Sequence, residues 1–357
     1  MRIGRRQAIA AIGTAAGAAA LGGCSDLAPP IEGPCPGLAG RRLRWIVPHA
    51  PGGGYDRESR LLAGPLERRL GATVAIENQS GAGGLVGARA IASASPDGLT
   101  LGMIGVPGLL MSALLGRPGV PNPASDFTIL GRVSRSWQVW AAGPRAPEGP
   151  VPGLAAAARP LVFAVSQASS PNIVGIAGAA ALLGAHVELV AGFAGTRGAC
   201  LAAIRGDVDL VCFNYETIRP FIRSGELRPV LQISARRVAS DPVLDGVALL
   251  GGNAGAAVRR ARHRGGDVDR AGALAAALER VVGGGRLVVG PAGLPSGLTS
   301  CLDEVIHTAL VTDVGGHAGA RIDPAPAAEA AEDVRRAAAE APAFLDVVRP
   351  LVESLRR

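Results

Sequence analysis

The residues with most chemical potential lie in two glycine-rich stretches, Pro51-Gly52-Gly53-Gly54-Tyr55-Asp56 and Gly81-Ala82-Gly83-Gly84. Glycine lets backbone N–H groups come close to a ligand, and a helix start adds partial positive charge, so such loops suit an anion. Either loop alone could be no more than a tight turn; two in succession favour a shared site. Side chains fitted for other chemistry are dispersed. Cys24, Cys35, Cys200, Cys212 and Cys301 contain no C-x-x-C pair, and His49, His186, His263, His307 and His317 are equally scattered. Metal ligation and redox chemistry therefore have no local support. No G-x-S-x-G elbow marks a serine nucleophile. Gly81 to Gly87 reads G-x-G-x-x-x-G, one residue longer than the dinucleotide fingerprint, so an NAD(P)-dependent oxidoreductase is only a competing reading.

The elements that must position these loops follow from apolar patterning. Leu43–Val47, Thr73–Ile76 and Leu99–Ile104 read as strands, each of the first two running into a glycine loop and then a helical spacing. Asp56 is the expected N-cap of the first helix, with Leu61, Leu62, Leu66 and Leu70 behind it and Pro65 expected to kink or split it. Strand, glycine loop, helix thus occurs twice in a row, which implies a parallel sheet with helical crossovers and a ligand at the carboxyl ends of its strands. A second block repeats the pattern: strand Leu161–Val165, Ser170 as N-cap with Pro171 opening a helix, strand Val187–Val190, a helix through Leu201 and Ile204, and strand Leu210–Phe213. Phe127–Val133 and Trp137–Ala141 read as crossing segments and Leu227–Ser234 as the return, with a last strand at Arg286–Gly290. Trp137 and Trp140 could line the cleft or pack at the hinge, and packing is the favoured reading. Two lobes joined by β crossings make a clamshell.

Composition supports a globular α/β chain. Of 357 residues 48% are hydrophobic and only 3% aromatic, so the interior is built from small aliphatic side chains. The net charge is +7 and every one of the 36 basic residues is Arg, but neither a basic stripe with stacking aromatics nor a reading motif is present, so nucleic acid is not an expected partner. Arg2, Arg5 and Arg6 precede the apolar run 8–21, which ends in Leu21-Gly22-Gly23-Cys24. A basic region, a short apolar stretch and small residues at a cut site describe a secretory signal. It is similar to a bacterial lipoprotein signal, with Cys24 the residue to be lipidated and Pro29–Pro36 part of a tether. Arg5-Arg6 leaves open a twin-arginine or a general export route. Cys200, Cys212 and Cys301 sit in apolar surroundings and read as small core residues, with no disulfide assigned.

Several motifs in order along the chain resemble the receptors of tripartite tricarboxylate transporters, the Bug (TctC-like) family of extracytoplasmic solute receptors. Pro51–Asp56 is similar to its P-G-G-x-x-D loop, and Glu77-Asn78 with Gly81–Gly84 and Gly87 to its E-N-x-x-G-A-G-G-x-x-G segment. Pro96-Asp97-Gly98-Leu99-Thr100, Phe193 and Gly195 with Gly206, Val208 and Asp209, and Val289–Pro295 resemble three further family segments. Ser80 and Ala194 depart from the pattern, and Gly251–Gly285 reads as divergent or expanded. The resemblance implies a two-lobed periplasmic-binding fold of type II. Lobe 1 would comprise 41–140 and 236–357 and lobe 2 141–235, preceded by signal peptide 1–23 and tether 24–40. It implies a small carboxylated solute held by Gly52, Gly53, Gly54, Tyr55, Asp56, Gly81, Ala82, Gly83 and Gly84 on one side. Ser169, Ser170, Asn172, Phe193, Thr196 and Asp209 would contribute from the other. It further implies no enzymatic activity, no cofactor or metal, a membrane permease as partner, and an exported, lipid-anchored location. Presentation of the ligand to a sensor is the alternative use of the same fold.

Overall fold

Alternating apolar strands and helices sort into two sheets in the computed structural model, which describes residues 34–149, 151–166, 170–237, 241–315 and 322–355. The signal sequence and Cys24 lie outside the described residues. The first sheet contains β1 (Arg42–Val47), β2 (Thr73–Asn78), β3 (Thr100–Gly105), β4 (Phe127–Ser134) and a strand from far along the chain, Arg286–Pro291. Its order is β2-β1-β3-(286–291)-β4, the late strand running antiparallel to both neighbours. The helices of this half are α1 (Gly54–Leu70) after β1, α2 (Leu85–Ala92) after β2, and α3 (Val106–Leu114) after β3. Because β2 pairs on one side of β1 and β3 on the other, the chain reverses its winding direction at β1, the place where open α/β sheets bind ligands.

The second sheet is built from β5 (Gln138–Ala142), β6 (Leu161–Ala164), β7 (Val187–Val190), β8 (Leu210–Asn214), β9 (Arg228–Gln232) and β10 (Ala248–Leu249). Its order is β10-β9-β5-β8-β6-β7. Helices α4 (Val151–Ala155), α5 (Asn172–Leu183), α6 (Gly195–Arg205) and α7 (Tyr215–Arg223) connect its strands. α8 (Ala256–His263) and α9 (Val268–Gly283) follow, and the late strand of the first sheet is then β11. α10 (Ser296–Thr308), α11 (Ala327–Glu340) and α12 (Leu345–Ser354) complete the chain's described helices.

Burial explains the arrangement. β11 is apolar on both faces, with Leu287, Val288 and Val289 fully buried, as a central strand requires. β7 alternates half-buried and exposed residues, as an edge strand does. α5 is apolar all round and is buried from Asn172 to Ala180. One apolar cluster takes residues from both sheets: Ile46 and Ile104 pack with Phe163, Ile176 and, from α9, Leu278 and Val281. Trp140 is 1% exposed and meets Phe163 edge-on at 4.8 Å, so it packs the core rather than lining a cleft. Trp137 is half-buried against the outer side of the second sheet.

Several sequence expectations need correction. α1 runs unbroken through Pro65 and stops at Gly71, whose left-handed φ of 63° closes it; a proline removes one helical hydrogen bond, and packing of Leu62, Leu66 and Leu70 outweighs that loss. The crossing from one sheet to the other falls at 135–137, and β5 and β10 both belong to the second sheet, so the sheet boundaries differ from 140 and 236. Within 24–40, residues 34–40 are no free tether. Cys35 and Leu38 are each 1% exposed, and Cys35 is bonded to Cys301 across 266 residues. Cys301 is therefore half of a disulfide, whereas Cys200 and Cys212 are buried thiols. Burial pushes the Cys200 thiol up to about 12, which keeps it protonated and inert.

Candidate functional site

The first glycine loop leaves β1 at Val47 and opens α1. Gly53 is the N-cap, with extended backbone and no side-chain cap bond. The N–H groups of Gly54, Tyr55 and Asp56 in the first turn consequently have no acceptor within the helix. Asp56 is not the N-cap. It sits in the first helical turn, 2% exposed, and its carboxylate is consumed by the protein itself. Oδ2 accepts from the Gly52 N–H at 2.8 Å and from Arg60 Nε at 3.0 Å, and Oδ1 accepts from Asn78 Nδ2 at 3.0 Å. Asn78 Nδ2 also donates to the His49 carbonyl at 3.0 Å. The Arg60 hydrogen bond, with those from Gly52 and Asn78, holds the Asp56 carboxyl down at about 2. Asp56 thus braces the loop after β1 against the end of β2, and it removes the Gly52 N–H from the donors open to a ligand.

The second loop is backbone in an unusual state. Gly81, Ala82, Gly83 and Gly84 all have positive φ, at 144°, 46°, 73° and 97°. Ala82 is the single non-glycine with positive φ among the described residues, a conformation that costs energy and is retained where geometry matters. The Gly84 N–H turns back to the Gly81 carbonyl at 2.9 Å, and α2 begins with no side-chain cap bond. Gly87 fixes the two loops to each other. A Cβ there would lie 2.7 Å from Pro48 Cα and 3.0 Å from the Gln79 carbonyl oxygen, so only glycine lets α2 seat on the loop after β1.

The two loops meet at a cleft of about 340 Å³ of empty space, part of it open to solvent. Pro48, His49 and Tyr55 of the first loop and Gly83 and Gly84 of the second line one side. Gly105 at the end of β3 and Gly108 of α3 form the back, and Pro171, at the start of α5 in the second sheet, closes it from across. Beneath this surface lies a stack that sequence reading missed. The Tyr55 ring meets the His49 ring at 4.2 Å between centroids, and the Arg286 guanidinium lies over it at 4.4 Å. Arg286 is paired with Glu58 of α1, and both are largely buried. The Tyr55 hydroxyl fills the space over Gly105. Burial, then the positive Arg286, lowers His49 to about 4, so the imidazole is neutral near pH 7. Burial likewise raises Tyr55 and keeps its phenol protonated. Arg286 lies far along the chain from Tyr55, and no local pattern signals the contact.

The second half of the expected site is only partly assembled. Pro171 lines the cleft, and Ser170, 5% exposed, shares a hydrogen bond of 2.7 Å with Ser166 Oγ. α5 opens one residue later than expected, with no side-chain cap from Ser170. Asn172 is 2% exposed, and neither Nδ2 nor Oδ1 has a partner within the protein. A buried amide in that state is what a ligand at the helix start would satisfy. Phe193 packs against the outer side of the second sheet and Thr196 sits half-buried in the first turn of α6; neither lines the cleft. Ser169 lies outside the described residues. Asp209 is a correction. It is fully buried at the amino end of β8, gripped by Arg159 at 2.6 and 2.7 Å, and accepts from the Val162 N–H at 2.8 Å. Its role is to tie strands together, and its motif spacing reports that role rather than ligand contact. No group of three or more His, Cys, Asp or Glu able to hold a metal occurs among the described residues.

Comparisons with known proteins agree with this geometry. Residues 59–260 match the tripartite tricarboxylate transporter family receptor, TctC. Protein BugT of Bordetella pertussis is 29% identical over 216 residues, 59% of this chain and 66% of BugT. A Cupriavidus necator protein of the UPF0065 group is 37% identical over 103 residues, 29% of this chain and 31% of its own. The chain thus spans less than two thirds of the length of these curated relatives. Among solved structures, a Rhodopseudomonas palustris protein with bound malate, MatC, superposes with a TM-score of 0.61 at 22% identity, covering 86% of this chain and 99% of MatC. An R. palustris protein with adipate gives 0.64 at 22%, covering 87% and 97%. At that identity the likeness establishes the fold, two α/β halves of a solute-binding protein. The family is one of receptors rather than enzymes, and with more than half of its length matched, the chain belongs to the tripartite tricarboxylate transporter receptor family.

Proposed function

We propose that this receptor captures a small carboxylated metabolite outside the cytoplasm and delivers it to a tripartite tricarboxylate-type membrane permease, held to the membrane by a lipid on Cys24. The observation that carries the reading is the convergence, on one cleft, of two glycine loops and three helix starts (α1, α2 and α5) that lack side-chain caps. N–H groups at such helix starts lack intrahelical acceptors and can turn to an anion, and each hydrogen bond to a charged group contributes roughly 1.5–3 kcal/mol. A few of them, less the entropy of binding, reach micromolar affinity, about −8 kcal/mol. The neutral His49 adds polarity without a competing charge. The malate- and adipate-bound relatives support a carboxylate as the ligand class. The Cys35–Cys301 disulfide supports an oxidising compartment.

Titration calorimetry with succinate, malate, adipate, glutamate and aromatic acids tests the reading. At least one acid should bind, and Gly83→Val should abolish that binding while leaving the circular dichroism native and lowering the melting temperature by only a few degrees, because the strain of a β-branched side chain at φ 73° is confined to this loop. Full affinity in Gly83→Val discards the cradle. Heat with NAD(P)H and none with any acid would overturn the receptor reading itself. For the anchor, labelled palmitate should enter the expressed protein and be lost in Cys24→Ala; label retained in that variant moves the lipid elsewhere.

A further inference from the structure

The stretch 251–285, which departs from the family's pattern, carries the densest run of positive charge in the chain, Arg259, Arg260, Arg262 and Arg264. Three of these arginines lie on α8 and Arg264 just past its end. Ala256, Ala257 and Val258 bury one side of the helix, leaving Arg259, Arg262 and Arg264 exposed and Arg260 half-buried. None of the four forms an ion pair among the described residues, whereas Arg132, Arg159 and Arg280 elsewhere are each held by carboxylates. Two of them converge. At Gly184, which closes α5, the position a Cβ would take lies 3.3 Å from an Arg264 nitrogen and 3.4 Å from an Arg260 nitrogen. Arg260 Nε is buried and has no partner. The carboxyl end of α5 offers these cations partial negative charge, but it leaves that donor unused and the two like charges side by side.

We infer that this arginine face docks on an anionic phospholipid membrane, with headgroup phosphates bridging Arg260 and Arg264 and with Arg259 and Arg262 completing the contact. Guanidinium suits phosphate because its planar fork donates two parallel hydrogen bonds. A lipid surface fits better than nucleic acid, since no Phe, Tyr or Trp occurs between 251 and 285 to stack a base. Reach favours it too. From a lipid on Cys24, eleven residues lead to Cys35, a span of no more than about 40 Å. The Cys35–Cys301 bond fixes that point on the folded chain, so the protein stays close to a charged surface. α5 starts beside the cleft at Asn172 and ends at this patch, a helix of 12 residues about 18 Å long. Headgroups at its carboxyl end therefore leave its amino end free for a ligand. The inference rests on the membrane-held part of the proposed function and adds an electrostatic contact to the lipid.

Residues 31–357 form a compact unit separate from 1–30 and hold every described element, so this unit tests the face without signal or lipid. In co-sedimentation it should bind vesicles containing about 30% phosphatidylglycerol roughly tenfold or more tighter than vesicles of phosphatidylcholine alone, and high salt should release it. Each basic residue at such a surface strengthens binding about fivefold, so Arg260→Gln with Arg264→Gln should weaken it more than about tenfold. Arg260→Lys with Arg264→Lys should retain most of it, which separates lost charge from lost fold. Arg205→Gln with Arg237→Gln removes the same charge from exposed, ion-paired positions elsewhere and should leave vesicle binding nearly unchanged. Equal affinity for the two vesicles, or equal losses in the two glutamine pairs, overturns the docking face. Binding to a DNA duplex with none to phosphatidylglycerol overturns it as well. These outcomes are independent of the proposed function, whose receptor reading is judged by carboxylate calorimetry and whose anchor is judged by palmitate labelling.

Discussion

At the scale of single residues, the cleft is built by groups that give up their own charge or spend it internally. His49 stays neutral because protonation would place a positive charge in a buried position facing Arg286, and its value falls from 6.5 to about 4. The consequence for stability has a definite sign. Above pH 6.5 both folded and unfolded chains carry a neutral His49. Between about 6.5 and 4 the unfolded chain takes up a proton that the folded one refuses, so stability falls as the pH drops. One such proton is worth at most about 1.4 kcal/mol per pH unit, or about 3 kcal/mol over this window. Thermal melts of the ligand-free protein from pH 7 to 4.5 should therefore fall more steeply for the native chain than for His49→Asn. Parallel curves would show that His49 titrates normally. Asp56 does not confuse this measurement: its carboxyl is depressed to about 2, so the stability it confers is present above 3.8 and is lost only below the range scanned.

At the scale of elements, what could be read in the sequence is what local pattern determines. Strand Val187–Val190 has the same bounds in the structure, and β1, β2, β3, β6, β8 and β11 lie within a residue or two of the apolar runs that announce them. The glycine loops, too, sit where their spacing places them, because a positive φ and a close backbone approach leave a local mark in residue type. Three things left no such mark. Arg286 reaches Tyr55 and Glu58 only through the sheet, since β11 lies beside β3. α3 and α7 are short helices opened directly by strand ends, and the second is capped by Asn214, whose side chain accepts from the Glu216 N–H at 3.0 Å. Asp209 was drawn into the site by motif spacing, although a strand's amino end faces away from where its neighbours deliver their loops.

At the scale of the whole molecule, two long-range features hold the ends of the chain together. The Cys35–Cys301 bond attaches the first described residues to α10, closing a loop across a sequence separation of 266 residues. Such a bond stabilises chiefly by restricting the unfolded chain, by about 2–5 kcal/mol, with long loops at the upper end. Reductant should lower the melting temperature by several degrees, and Cys35→Ser combined with Cys301→Ser should melt there with or without reductant; a native protein indifferent to reductant would refute the bond's contribution. The other feature is β11, which lies between β3 and β4 yet is made after all of the second sheet. A polypeptide emerging amino end first, from ribosome or translocase, therefore carries a first sheet with a missing middle strand. β3 and β4 keep unpaired edges until Arg286–Pro291 appears, and the rim that carries Gly105 and Gly108 has no fixed seat before then. Late delivery of one strand thus postpones maturation of the cleft until nearly the whole chain has left the ribosomal tunnel.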